Sequence, residues 1–242
     1  MSLSEINLAP PTLSDFLDIS ELVELSFAYQ EFGLVAFGPK RFSPAGKEKR
    51  AKKMTEPLNP GETKYEMKAV TLLPDGTEEI VGFASWYICV GRGGSKEEKG
   101  RLGTREGWAK EEKEKEEKKD EKVEEGHGNP KIREDVLGGI SKILASYTKG
   151  KDYVILQLLV VRPGYQRRGI GAMLFEDGLK VADQAGLQVV LGASDQGVGL
   201  YKKHGCIERG IMRTNLWEYE GGEGLGVATH SMLHRPARGK II

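Results

Sequence analysis

One apolar run constrains the fold more than any other feature of the sequence. The segment YVILQLLVV, residues 153–161, is almost continuously apolar, which predicts a central strand buried on both faces. An Arg-Pro-Gly turn follows, and then a helix with small and apolar residues on one face that extends to about residue 186. A second apolar run, LQVVLGAS at 187–194, predicts another central strand. Strand, turn, helix and strand in this order predict an α/β protein.

Weaker patterns predict the elements on either side of this unit. Thr12 and Asp15 have the spacing of a capping box at the start of an N-terminal helix. Asn129 and Pro130 are typical of the first positions of another helix, which is predicted to end near 149–150. The other predicted elements are a first strand at 6–10, a hairpin of 65–73 and 79–90 around Pro-Asp-Gly-Thr, a short glycine-terminated helix at 199–206, and two last strands at 211–220 and 228–235.

The composition disfavours several classes of protein. In 242 residues, 36 Lys and Arg balance 36 Asp and Glu, so a globally basic nucleic-acid binder is not expected. Two cysteines are too few for a disulfide scaffold, and no apolar run approaches the ~18 residues of a membrane span. The N-terminus lacks the basic and apolar regions of a secretory signal. We therefore expect a soluble, intracellular protein, cytoplasmic or nuclear, with neither nucleic acid nor membrane as a partner.

Two charged segments stand apart from the predicted core. Residues 96–125 contain ten basic and twelve acidic side chains, which leaves too little apolar surface to bury. The expected form of the region 92–128 is therefore a solvated helix or a disordered insertion, with a partner-binding arm as the functional alternative. Residues 40–53 are strongly basic. They predict an exposed helix face or, alternatively, a contact for a phosphate or an acidic partner.

The turn that follows the first apolar run has the properties of an anion site. A helix N-terminus exposes unpaired N–H groups and carries about half a positive charge. Gly169 and Gly171 lack a Cβ, so a phosphate chain could lie close to the backbone, and Arg167 and Arg168 add charge. Pyrophosphate is the natural ligand of such a turn, and a helix entry without a ligand is the alternative. The P-loop string is absent, and the third glycine of a dinucleotide fingerprint is missing.

The same residues resemble the GNAT superfamily of N-acetyltransferases. The string Gln166-Arg167-Arg168-Gly169-Ile170-Gly171 matches that family's Q/R-x-x-G-x-G/A signature. The preceding Val161-x-Pro163 and the later block LYKKHGC at 200–206 also resemble it, with Cys206 where the family commonly has Phe. The clear resemblance spans about 153–209. It implies a single GNAT domain over residues 1–242, in which the charged insertion has no counterpart in the family's common core.

The resemblance implies a mixed, mostly antiparallel central sheet flanked by helices, in which two parallel central strands, 153–161 and 187–194, splay apart. Acetyl-CoA is the implied co-substrate, with no metal. The pantetheine arm would lie between the splayed strands and the pyrophosphate in the turn. The residues that the resemblance assigns to this cofactor are Leu159, Val160, Val161, Gln166, Arg167, Arg168, Gly169, Ile170, Gly171, Ala172, Ser194 and Tyr201. For Ser194 a plain helix N-cap is the alternative.

The implied reaction is direct attack of a primary amine on the thioester, with Tyr201 as the general acid. A phenol with a pKa near ~10 can donate a proton at neutral pH, and packing against the cofactor is the alternative role of Tyr201. The general base stays open among Glu66, Asp152, Glu208, Glu218 and a water relay. His204 is expected to be an exposed helix residue. His230 and His234 are predicted to share one strand face as ordinary core or surface histidines, and Cys206 to be a buried thiol.

Two classes of function follow. The first is an N-acetyltransferase whose acceptor is a small molecule or a peptide, acting as a monomer or homodimer. The second is a non-catalytic module that binds acyl-CoA or a protein partner on the same fold. No metal site is predicted, because C-x-x-C and H-E-x-x-H strings do not occur. Trp86, Tyr87 and Trp217 are expected to be core residues, or alternatively the lining of an acceptor pocket together with Tyr29 and Phe32.

Overall fold

A computed structural model describes residues 6–58, 62–91 and 128–238. Its centre is a mixed sheet of seven described strands: β1 (Ile6–Ala9), β2 (Glu62–Leu72), β3 (Glu78–Cys89), β4 (Tyr153–Val161), β5 (Gln188–Ala193), β6 (Ile207–Asn215) and β7 (Val227–Arg235). They lie in the order β1-β2-β3-β4-β5-β7-β6. Among these strands β4 and β5 are parallel, and the other neighbouring pairs are antiparallel. The predicted mixed, mostly antiparallel sheet is confirmed.

Helices cover both faces of the sheet. The α-helices of the described chain are α1 (Phe16–Phe27), α2 (Glu31–Phe37), α3 (Pro44–Thr55), α4 (Pro130–Ile132 and Gly139–Thr148, joined by a π-helical turn at Arg133–Gly138), α5 (Ile170–Ala185) and α6 (Asp195–Lys203). The predicted caps of α4 are present: Asn129 Oδ1 accepts a hydrogen bond from the Ile132 N–H at 3.2 Å, and Lys149 and Gly150 end the helix with φ of 52° and 70°.

The parallel pair β4–β5 opens along its length. Four residue pairs are in register, from Tyr153 opposite Gln188 to Leu156 opposite Leu191. On its other side β4 continues to pair with β3 as far as Val161. Gln157 is the extra residue of a bulge in β4, because Ser85 lies opposite Leu158 while the next β3 residue lies opposite Leu156. The strands therefore separate beyond Leu156, as the resemblance implied. This gap between β4 and β5 is called the splay below.

Different helices pack on the two faces of the sheet. The back face carries α5 and α6, and there Trp86 of β3 stacks on Phe175 of α5 with ring centroids 5.3 Å apart. A Cβ on Gly178 would come within 2.1 Å of Trp86, so glycine is required for this close packing. The front face carries α1 and α3 over β2–β4 and carries α2 and α4 over β5 and β7. Met232 of β7 packs on this front side.

The largest differences from the predicted boundaries concern β6 and α6. Strand β6 begins at Ile207 rather than 211 and ends at Asn215, because residues 216–218 form a 3-10 turn that buries Leu216. Among the described strands β6 lies at an edge of the sheet and pairs only with β7, so polar residues are tolerated in it and its strand pattern is weak in the sequence. Helix α6 begins at Asp195 rather than 199, since two glycines obscure its first turn. The predicted charged insertion lies almost wholly outside the described residues.

Candidate functional site

The splay exposes one edge of β4 between the two faces of the sheet. From Gln157 to Val161 this edge has no register partner on β5, so its backbone groups on that side are available to a ligand, apart from the Val161 carbonyl, which accepts from Ser26 Oγ and Gln166 Nε2. The side chains of Leu159 and Val161 pack with the back-face core, and Leu158 and Val160 pack with the front-face core. A ligand lying along this edge would therefore meet the backbone of Leu159–Val161. The resemblance assigns this same segment to the cofactor.

The turn after β4 is tied firmly to the start of β3. Arg162 donates from its backbone N–H to the Val81 carbonyl at 2.8 Å and from Nε to the Ile80 carbonyl at 3.1 Å. The Tyr165 hydroxyl donates to Glu79 Oε2 at 2.7 Å. Gln166 Nε2 donates back to the Val161 carbonyl at 3.2 Å. These bonds fix the turn relative to the splay, so a ligand could use both at once.

Left-handed backbone conformations shape the turn into a concave loop. Gly164 and Gly169 both have φ of 87°, and Arg167 has φ of 64°, which is unusual for a residue with a Cβ. Gly169 is the N-cap of α5, and its carbonyl accepts a helical hydrogen bond from the Met173 N–H at 3.0 Å. The N–H groups of 170–172 precede that bond, so helix geometry leaves them directed out of the helix end.

Charge and space at the helix end both fit an anion. Arg168 lies over the ring of Tyr165, with Cζ 5.1 Å from the ring centroid, and so is held beside the turn. A Cβ on Gly169 would meet no atom of the described residues within 4 Å. A Cβ on Gly171 would lie 3.6 to 3.7 Å from Leu159, Leu200 and Val161, so this glycine lies where the splay, the turn and α6 meet. The arrangement can hold a phosphate chain with an apolar arm attached.

Tyr201 is buried on the back face beside the splay. Its side chain is 7% exposed, and its ring meets Phe175 edge-on with centroids 4.9 Å apart. Burial raises the pKa of the Tyr201 hydroxyl well above its ordinary value, with a smaller contribution from Cys206. The phenol is therefore neutral at physiological pH and keeps a proton to donate.

Ser194 occupies the N-cap position of α6 at the end of β5. Its backbone carbonyl accepts from the Gly197 N–H at 2.9 Å, while its side chain makes no capping hydrogen bond. The hydroxyl therefore does not perform the capping role that was the alternative for this residue. Its contact with a pantetheine arm stays a prediction.

The open candidates for the general base lie in different places. Glu208 accepts from Lys202 at 2.7 Å, and Glu218 accepts from Asn215 at 2.8 Å. Asp152 precedes the paired end of β4, away from the splay. Glu66 of β2 accepts from Ser85 Oγ at 2.9 Å and lines a cavity of about 390 Å³ on the front face. Burial raises the pKa of Glu66.

The histidines lie in different surroundings. His204 joins α6 to α5, with Nε2 2.9 Å from Glu176 Oε1 and Nδ1 2.9 Å from the Leu200 carbonyl. His234 Nε2 lies 3.0 Å from Gln188 Oε1. His230 packs edge-on against Phe32 with centroids 5.0 Å apart, and burial lowers its pKa. Nothing in the local sequence of His230 distinguishes it, because its position depends on the register between β5 and β7.

Within the described ranges, no group of three or more His, Cys, Asp or Glu side chains could hold a metal ion. No helix in those ranges is both long and apolar enough to cross a membrane. Cys206 is buried as expected, and burial raises the pKa of its thiol to about 11.

Comparison with known proteins agrees with this geometry. Residues 135–212 match the family model of the acetyltransferase (GNAT) domain. No curated protein matches the sequence. Residues 135–212 are therefore similar to a GNAT acetyltransferase domain, and the fold described above agrees with that similarity.

Solved structures share the fold over nearly the whole chain. Mosquito arylalkylamine N-acetyltransferase like 5b is 13% identical and covers 96% of this chain and 99% of its own, with a TM-score of 0.59. Drosophila melanogaster polyamine N-acetyltransferase is 11% identical over 95% and 99%, with a TM-score of 0.58. A Corynebacterium glutamicum protein described as histone acetyltransferase HPA2 and related acetyltransferase is 14% identical over 99% and 100%, with a TM-score of 0.55. At these identities the likeness concerns the fold.

Proposed function

We propose that the protein transfers the acetyl group of acetyl-CoA to a primary amine of a small molecule or peptide by direct attack. The observation that carries this proposal is the convergence of three features at one end of the sheet. The open edge of β4 and the glycine turn at the start of α5 meet at Leu159 and Val161, and the ring of Tyr201 lies against Gly197 in the first turn of α6, which directly follows β5. No single feature would define the reaction, but together they supply an arm site, an anion site and a proton donor.

The residues present fit acetyl-CoA in two chemically distinct parts. The N–H groups at the start of α5, with the side chains of Arg167 and Arg168, would hold the pyrophosphate. The backbone of Leu159 and Val161 would bind the pantetheine amides along the unpaired edge of β4. The absence of a Cβ on Gly171 leaves the space that joins these two parts.

Tyr201 would protonate the departing sulfur. The raised pKa of its hydroxyl keeps the phenol protonated at neutral pH. Thiolates are less basic than phenolates in water, so proton transfer from Tyr201 would have to occur as the carbon–sulfur bond breaks and be assisted by the buried, poorly solvated position of the sulfur. This is the acid role that the resemblance implied for Tyr201.

Thermal unfolding with and without acetyl-CoA tests the first half of the proposal. Saturation at 100 times Kd should add about 2.7 kcal/mol to the free energy of unfolding, or roughly 5–10 °C in Tm for a chain of this size. Release of the CoA thiol, measured with an arylalkylamine, a polyamine and a basic peptide, tests the second half. The solved relatives' names motivate the first two amines.

The outcomes separate the two classes of function. A Tm shift together with thiol release from at least one amine supports the enzyme. A Tm shift without release from any amine would favour an acyl-CoA-binding module instead. If Tm does not change with acetyl-CoA, CoA or longer acyl-CoAs, both the enzyme and the acyl-CoA-binding module are excluded. An intracellular location and a monomeric or homodimeric state remain predictions.

A further inference from the structure

His230 lies on the wall of the splay opposite β4. Leu191 is level with Leu156 in the parallel pair, and β5 continues to Ala193, which is level with Ser231 of β7. Counting along the strands therefore places His230 about level with Leu159. At this level β5 has ended and the chain has turned into α6. No β5 residue stands in register between His230 and the open edge of β4.

The side chain of His230 belongs to the front face. Residues two apart on a strand share a face, and Met232 packs in the front-face cluster with α4. Phe32 of α2 confirms this side, because its ring meets the His230 imidazole at 81° with centroids 5.0 Å apart. Tyr201 packs against Phe175 on the back face. A proton donor and an imidazole therefore flank the splay from opposite faces of the sheet.

The surroundings of His230 leave one ring nitrogen unused. Nδ1 is fully buried and has no hydrogen-bond partner among the described residues. A buried nitrogen without a partner is costly, and a bound ligand that supplies the missing bond would relieve that cost. On the same face, His234 Nε2 by contrast is hydrogen-bonded to Gln188 Oε1 at 3.0 Å.

Few charged groups face the imidazole. Asp195, in the first turn of α6, raises its pKa, but desolvation is the larger effect and lowers it. From α2 the packed group is the uncharged Phe32, and the neighbouring Glu31 accepts from the Gly226 N–H at 3.2 Å. From β6 the residue opposite His230 is Met212. The ring is therefore neutral at pH 7 and has a lone pair available.

We propose that His230 accepts the proton of the acceptor amine, and that the amine enters the splay from the front face. This proposal rests on the proposed function. Glu66 is the competing group, but it lies on β2, separated from the open edge of β4 by the whole of β3, and it already accepts a hydrogen bond from Ser85. His230 lies across the open gap instead.

The proton balance is complete with the two side chains. The amine enters as an ammonium, and His230 takes one proton, which frees the nitrogen lone pair. The new carbon–nitrogen bond forms as the carbon–sulfur bond breaks, and the sulfur takes the proton of Tyr201. The second nitrogen proton then returns to the Tyr201 oxygen through water, and the imidazolium releases its proton to solvent. One proton leaves with each amide and each CoA thiol formed.

His230→Gln, with His234→Gln as the matched control, tests the proposal. The control histidine lies on the same face, level with Val190, where β4 and β5 are still paired. With the best amine of the panel, His230→Gln should lower kcat by about 10²- to 10⁴-fold and leave the Tm shift with acetyl-CoA unchanged. His234→Gln should retain both the wild-type kcat and the Tm shift with acetyl-CoA. Wild-type kcat/KM should fall on the acid side with a midpoint below 6.5, the ordinary pKa of histidine, and this limb should be missing in His230→Gln.

Glu66→Gln tests the competing candidate for the general base. Loss of turnover and of the acid limb in Glu66→Gln, with both retained in His230→Gln, overturns the proposal and transfers the role to Glu66. Failure of the proposed function is seen separately, in the wild-type protein: an active wild type with an unimpaired His230→Gln refutes only the histidine. A wild type that binds acetyl-CoA and acetylates no amine refutes both.

Nitrogen NMR of the histidine rings gives a readout that does not depend on turnover. The signal of His230 is assigned by its loss in His230→Gln. The expected result is a neutral ring at pH 7 whose nitrogen shifts change when the acceptor amine binds, while those of His234 do not. A cationic ring at pH 7, or a ring unaffected by saturating amine, overturns the proposal even if the variant is slow.

Discussion

Gly197 makes room for the ring of Tyr201, which follows it by one turn of α6. A Cβ on Gly197 would lie 2.9 Å from Tyr201 Cε2 and 3.5 Å from the Tyr201 hydroxyl. Side chains of a helix lean toward its N-terminus, so the phenol is directed back along α6 toward Ser194 and the splay. The position of the hydroxyl therefore depends on a glycine that itself has no reactive group.

Replacing the phenol tests its proposed role directly. Tyr201→Phe keeps the ring that packs on Phe175 and removes the proton donor. We expect kcat to fall by about 10²- to 10⁴-fold and the acetyl-CoA-induced Tm shift to be retained. Steady-state kinetics and thermal unfolding measure the two quantities. Unchanged turnover would leave Tyr201 as a packing residue.

Adding one methyl group at Gly197 should have a related effect without touching the phenol. In Gly197→Ala the new Cβ displaces the Tyr201 ring, so turnover should fall while Tm changes little, because alanine also favours the helix by up to about 1 kcal/mol. Gly199→Ala is the matched control, since a Cβ there would contact none of the described residues within 4 Å. Equal turnover in the two variants would show that the orientation of Tyr201 is unimportant.

Alanine variants of two glycines in the turn can distinguish the effect of backbone strain from the effect of contact with acetyl-CoA. Gly164 and Gly169 share a φ of 87°, and in the described part of the chain no atom lies within 4 Å of a Cβ placed on either. Alanine at either site should therefore cost about 1–2 kcal/mol of stability. At a fixed acetyl-CoA concentration the Tm shift should shrink in Gly169→Ala, whose Cβ occupies the helix end, and persist in Gly164→Ala. Equal shifts in both variants would argue against pyrophosphate binding at this turn.

The sequence predicted the strand–turn–helix unit best because its pattern is local. Strand β4 coincides with its apolar run, since burial on both faces requires apolar residues throughout. The edge strand β6 was placed too late, because exposure on one side permits Ile207–Gly210 to mix polar and apolar residues. Helix α6 was started too late, because Gly197 and Gly199 lower its intrinsic propensity, and the first of them is required by Tyr201.

The sequence could predict only those parts of the candidate site whose residues are close together in the chain. The turn after β4 and Tyr201 each belong to a short motif. The relation of His230 to Leu159 depends on the registers of β4–β5 and β5–β7 together with the splay, and no local pattern encodes that combination. The hydrogen bond from Ser85 to Glu66 similarly depends on the β2–β3 register.

The pKa of Glu66 should make the stability of the fold depend on pH. Burial raises the folded-state pKa above the ordinary 4.5, so between 4.5 and the folded value the folded protein binds more protons than the unfolded chain. The free energy of unfolding should therefore decline as pH rises through this window. Glu66→Gln keeps an acceptor for Ser85 and should remove this decline, unlike Glu78→Gln at the exposed start of β3. Urea unfolding from pH 4 to 7 measures it, and parallel curves for wild type and Glu66→Gln would contradict the prediction.

The ion pair between Asp183 of α5 and Arg235 of β7 should contribute strongly to stability. Arg235 Nη1 and Nη2 donate to the two carboxylate oxygens at 2.6 and 2.8 Å, and the arginine side chain is 3% exposed. Asp183→Asn would leave a buried guanidinium without its counter-charge, which costs about 3–5 kcal/mol, or roughly 6–20 °C in Tm. Lys202→Ala, in a pair whose lysine is 48% exposed, should lower the free energy of unfolding far less, because solvent screens the charges of an exposed pair.

The pH dependence of this pair has the opposite sign to that of Glu66. The hydrogen bonds from Arg235 hold the pKa of Asp183 below its ordinary 3.8. Its contribution is therefore complete above 3.8, the unfolded value, and is lost as pH falls through the folded value. The gap in Tm between wild type and Asp183→Asn should narrow as the pH is lowered through this range. A gap that stays constant, or an Asp183→Asn variant as stable as Lys202→Ala, would show that the ion pair does not hold α5 to β7.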